Sequence, residues 1–100
     1  MIRGTTPTHT FNLPLDASLI KEVKVTYAQG GAVILERRAA DCEIQGSTVT
    51  IRLTQEDTFK FDCSKKVYIQ VRALLTSGEC ISSRILMTSV ESCLDNEVLT

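Results

Sequence analysis

Three stretches of this chain alternate apolar and polar residues with a period of two. Val23, Val25 and Tyr27 do so in "EVKVTY", Val49, Ile51 and Leu53 in "STVTIRL", and Phe11 and Leu13 in "THTFNL". Successive side chains of a strand point to opposite faces, so each run has one dry face that must be laid against a second layer. A helix would scatter the same residues around its axis. Val, Ile and Thr supply 28 of the 100 residues, and β-branched side chains suit a pleated, half-buried surface better than a helix. The chain is predicted to be mostly strand.

Turn chemistry divides the chain at Pro14 to Ser18, Gln29 to Gly31, Gln45 to Ser47 and Thr76 to Glu79. Between these breaks, strands are expected near 7–13, 20–28, 32–38, 41–45, 48–54, 66–75 and 80–90. Seven short strands at this spacing suit a sandwich or a barrel. "DASLIKEV" also fits helical spacing behind Asp16 as an N-cap, so one helical turn there is compatible with the pattern. The expected core is Phe11, Val23, Val25, Val33, Leu35, Val49, Ile51, Leu53, Val67, Ile69 and Val71. One hundred residues make one domain, 1–100, and the last ten carry Glu91, Asp95 and Glu97 with no basic residue, reading as an acidic tail.

Several functions are disfavoured at this level. Eleven Lys and Arg against twelve Asp and Glu give a net charge of −1, which provides no long-range field to gather the phosphates of nucleic acid. No apolar run approaches the ~20 residues of a membrane-spanning helix. The opening "MIRGTTPTHTF" lacks the apolar segment of a signal peptide, so Cys42, Cys63, Cys80 and Cys93 are expected to be made in a reducing cytosol as free thiols. Cys42 and Cys63 are expected to act as small packing residues. The cysteines lie 21, 17 and 13 residues apart with no C-x-x-C pair, and His9 is the one imidazole, a poor basis for a metal site or a Cys–His catalytic pair. Neither cofactor nor catalysis is expected. Glu56–Asp57 reads as a turn, and Gly30–Gly31 as a hairpin turn, not a phosphate cradle. Arg37 and Arg38 close the third strand, where cations discourage pairing with other chains or meet an acidic partner.

"LTQEDTFKFDC", Leu53 to Cys63, resembles the corner that immunoglobulin sandwiches place before their second disulfide cysteine. The chain has no Trp and no Cys before Cys42, so the corner is expected without the disulfide, with Phe59 or Phe61 plugging the core. The fold class expected is all-β, an antiparallel immunoglobulin-like β-sandwich of about seven strands. Taken in order, "THTFNLPLDASLIKEVKVTYAQGG", "LTQEDTFKF", "VYIQVRALLTSGECISSRI" and "CLDNEVL" resemble small proteins encoded in structural gene clusters of phages and prophages of low-GC Gram-positive bacteria. More distantly, they resemble the immunoglobulin-like N-terminal domain of phage baseplate upper proteins. The resemblance implies a sandwich made in the bacterial cytoplasm and incorporated into a virion, in its tail or baseplate. It implies contacts with phage structural proteins or with further copies of itself, and it carries no catalytic residue. Alternatives of other classes are a module binding a host cell-surface polymer and a small thiol enzyme. The last apolar run, "CISSRILMTSV", has Arg84 as its single charge, so Arg84, Leu86 and Met87, with Asp95 and Glu97 of the tail, form the candidate interaction surface. Burial in the final strand would equally explain its apolar residues.

Overall fold

The structure is a computed structural model that describes residues 1–100. Its strands are β1 (Thr8–Asn12), β2 (Ile20–Gln29), β3 (Ala32–Arg38), β4 (Glu43–Gln45), β5 (Thr48–Arg52), β6 (Val67–Leu75), β7 (Cys80–Ser82) and β8 (Leu86–Thr88). One short helix, α1 (Gln55–Phe59), joins β5 to β6. Strands β1-β5-β4 form one sheet; β3-β2-β6-β7 form the other, in which β8 also pairs with β6. All these pairings are antiparallel. The fold is an all-β sandwich. With β1 taken as strand B, these orders follow the B-E-D and C′-C-F-G sheets of an immunoglobulin sandwich, with no strand in the place of A beside β1.

The inward residues of both sheets make one core of fourteen buried side chains, among them Val23, Val25, Tyr27, Val49, Ile51, Leu53, Phe61, Val67 and Val71. Each large apolar side chain so buried contributes roughly 1.5–3 kcal/mol. Alternation in β2, β5 and β6 identified most of them. The helical turn behind Asp16 is a 3-10 turn, Ala17–Leu19, whose Ser18 N–H donates to the Asp16 carboxylate.

Three expectations need correction. The strand expected over 80–90 is two strands, making eight in place of seven. Its break lies at Ser83, whose hydroxyl accepts the Val71 N–H at 3.0 Å while its own N–H donates to the Val71 carbonyl. A side chain thereby replaces one rung of the backbone ladder, as Ser commonly does near its own backbone. Val33 is 55% exposed, not core. Gly30 and Gly31, at φ +55° and +81°, make a two-residue hairpin turn that sets Gln29 opposite Ala32 and Ala28 opposite Val33. The core needs Leu35 opposite Tyr27, so Ile34 is left as an unpaired bulge and Val33 turns outward with Ala28. Cys63 is exposed in the loop after α1 and packs against nothing in the core; Cys42 does pack there.

Candidate functional site

The corner over Leu53 to Cys63 is built as a capped turn. The Thr54 hydroxyl accepts the Asp57 N–H, and the Asp57 carboxylate accepts the Thr54 N–H, a reciprocal cap that starts α1. Thr58, fully buried, donates its hydroxyl to the Thr5 carbonyl and accepts the Gly4 N–H. Phe61 plugs the core against Tyr27, while Phe59 stays half-buried beneath the Arg3 guanidinium. Arg37 does not guard an edge. Its side chain turns inward to pair with buried Asp57, and only Arg38 faces out. Burial alone would raise the Asp57 pKa; the Thr54 N–H and the Arg37 guanidinium outweigh it and hold the carboxyl below its ordinary value. Gln29, also buried, ties the neighbouring loop by donating to the Asp62 and Lys65 carbonyls and accepting the Asp62 N–H. The buried side chains Asp57, Thr58 and Gln29 are all occupied in holding the fold, whereas the Nε of Arg3, beside Phe59, is buried without a partner.

The outer face of the larger sheet differs. Register places Val33, Ala28, Tyr68 and Met87 in one row across β3, β2, β6 and β8. Val33, Tyr68 and Met87 are 55%, 43% and 60% exposed, and Ile85 beside them is 61% exposed. Four residues further along β6, a second row crosses the same face: Arg38 opposite Lys24, and Lys24 opposite Arg72. Glu36, Thr26 and Gln70 form the row between them. One half of this face is apolar, and the other carries three cations with Glu36 and Glu22 beside them.

The candidate surface residues fall in different places. Met87 joins the apolar row opposite Tyr68, whereas Leu86 stands opposite Ile69 on the inward side, 47% exposed at the sheet edge. Arg84 lies exposed in the break between β7 and β8. Asp95 and Glu97 are exposed on a segment that leaves this edge: the Asn96 carboxamide accepts from Arg3, and Leu99 exchanges two hydrogen bonds with the Gln55 side chain. The tail is therefore tied to the corner rather than extending from β8. The apolar residues Ile85, Leu86 and Met87 are not ordinary core of the final strand. Sequence reasoning missed Tyr68 and Val33 as members of this face. Tyr68 carried a readable signal, since it falls on the polar phase of "VYIQV"; Val33 carried none, because the bulge reversed its phase.

Elsewhere, chemistry-bearing residues are dispersed. No three His, Cys, Asp or Glu side chains gather as metal ligands, and all four cysteines are free. Cys42 donates its thiol to the Arg38 carbonyl, and burial, reinforced by the Asp41 charge, pushes its pKa up. His9 and Tyr27 meet between the sheets at 2.7 Å. Burial lowers the His9 pKa and pushes Tyr27 well above its usual value. One hydrogen bond joins the phenol oxygen to the imidazole Nδ1, and the Tyr27 side chain is shut off from solvent. This contact satisfies the buried Tyr27 hydroxyl and one nitrogen of the half-buried imidazole. Comparison with protein-family models, curated proteins and solved structures finds no match.

Proposed function

We propose that the chain is a non-catalytic structural or assembly module of a phage or prophage particle, associated with its tail or baseplate and acting through protein–protein contacts. The observation that carries the contact part is the row Val33–Ala28–Tyr68–Met87, extended by Ile85, which ends at the unpaired outer edge of β8. Monomeric proteins seldom leave large apolar side chains grouped on a flat sheet face, and such groups mark surfaces that another protein covers. The edge of β8 lacks the charges that usually blunt an open strand, apart from Arg84 before it. A partner seated on this face gains the apolar row and the free backbone groups of β8 together. The phage assignment draws on the resemblance of the quoted segments.

The test is particle composition. Virions purified from a host carrying the gene should contain the chain as a stoichiometric component by mass spectrometry. Met87→Lys, checked for folding by circular dichroism, should reduce its incorporation. Absence from purified particles overturns the virion reading, and full incorporation of the Met87→Lys chain overturns the apolar row as the contact.

A further inference from the structure

The cationic half of the outer face is not explained by stability. Lys24 stands directly opposite both Arg38 and Arg72, and like charges placed opposite each other across strands weaken a sheet. Lys24 is relieved by Glu36 at 3.3 Å, but the only other ion pair is Arg37–Asp57, so neither outward guanidinium is paired. Arg72 makes a weak contact with the Cys80 sulfur at 3.4 Å. The row lines a shallow groove of about 420 Å³ with Glu22, Leu74 and Cys80. Glu22, the one carboxylate lining it, is turned to accept the N–H groups of Val23 and Ala39. The three cations span two strand spacings, about 10 Å.

We propose that Arg38, Lys24 and Arg72 form a binding site for the phosphate groups of a polyanionic polymer. Guanidinium forks match phosphate oxygens in pairs, and a lysine between them adds a point charge. The direction of the row favours such a polymer over an acidic peptide. A peptide strand adds along a sheet edge and gains main-chain bonds there, whereas this row crosses the strands, and two of its three cations stand on the central strands β2 and β6, whose backbone is paired on both sides. A polymer recognised through its phosphates needs no backbone partner. The site lies four residues along β6 from the apolar row, and it does not depend on the assembly reading.

Titration calorimetry on the full chain at low ionic strength tests it, with tripolyphosphate, poly(glycerol phosphate) and poly-glutamate as probes. Both phosphate probes should bind, and added salt should weaken them. Arg38→Gln and Arg72→Gln should each reduce affinity by about tenfold, the effect of losing one charge-assisted contact. Glu22→Gln, which keeps the acceptor for Val23 and Ala39, should tighten binding by removing one of the nearby negative charges. Arg52→Gln, on the other sheet, should change nothing. Absence of binding by either phosphate probe, unchanged affinity in both arginine variants, or an equal loss with Arg52→Gln overturns the site. Poly-glutamate binding as well as the phosphate polymer overturns the ligand class in favour of an acidic protein segment.

Discussion

At the scale of single residues, Asp57 joins two parts of the fold through one buried carboxylate. It caps α1, pairs with Arg37 of β3, and so ties the corner to the larger sheet. Its folded pKa is depressed, so the unfolded chain takes up the proton more readily. The carboxylate therefore stabilises the fold fully above the unfolded value of about 3.9, and the contribution disappears as pH falls through the lower folded value. Denaturant titrations at several pH values should show the gap between the native chain and Asp57→Asn closing over that acid window. A constant gap would mean that the pairing contributes no charge-dependent stability. Ile51 and Arg52 are neighbours on opposite faces of β5. Ile51→Ala should cost about 2–5 kcal/mol, and Arg52→Ala less than about 0.5 kcal/mol, by urea unfolding. These faces were legible because alternation in β5 runs without interruption. Arg37 was not legible, because a charged residue on an inward phase reveals nothing of its partner twenty positions away.

At the scale of elements, regular strands followed from pattern and irregular ones from details that pattern does not carry. β2, β5 and β6 fall close to their expected spans. The final strand breaks because one hydroxyl competes with the ladder, and a Ser within "CISSRIL" is an ordinary strand residue unless its partner is known. Ser83→Ala removes the acceptor of the Val71 N–H. It should cost about 1–3 kcal/mol and raise amide hydrogen exchange at Val71 above that at its β6 neighbours. Unchanged protection at Val71 would mean that the backbone re-forms a continuous β7–β8 ladder. The candidate surface was readable in part. The exposure of Met87 and its neighbours follows from lying on a terminal edge strand, but its alignment with Tyr68, Ala28 and Val33 is a product of three registers.

At the scale of the whole molecule, the four cysteines report which parts of the sandwich are open. Cys63 and Cys80 are exposed, whereas Cys42 is half-buried with its thiol held in the protonated form by burial and Asp41. Native-state alkylation followed by mass spectrometry should modify Cys63 and Cys80 first. Cys42 should lag, the lag shrinking only at higher pH or on unfolding. Rapid labelling of Cys42 would mean that the end of β3 opens readily. The bulge at Ile34 bears on how this chain can vary over evolutionary time. Because Ile34 has no cross-strand partner, losing its codon would straighten β3 while leaving Leu35 opposite Tyr27 and Val33 opposite Ala28. Losing the codon of Glu36 would reverse the phase along part of the strand, turning Arg37 out of its pairing with Asp57 or displacing Leu35 from the core. Natural insertions and deletions in β3 should accordingly gather at this one position.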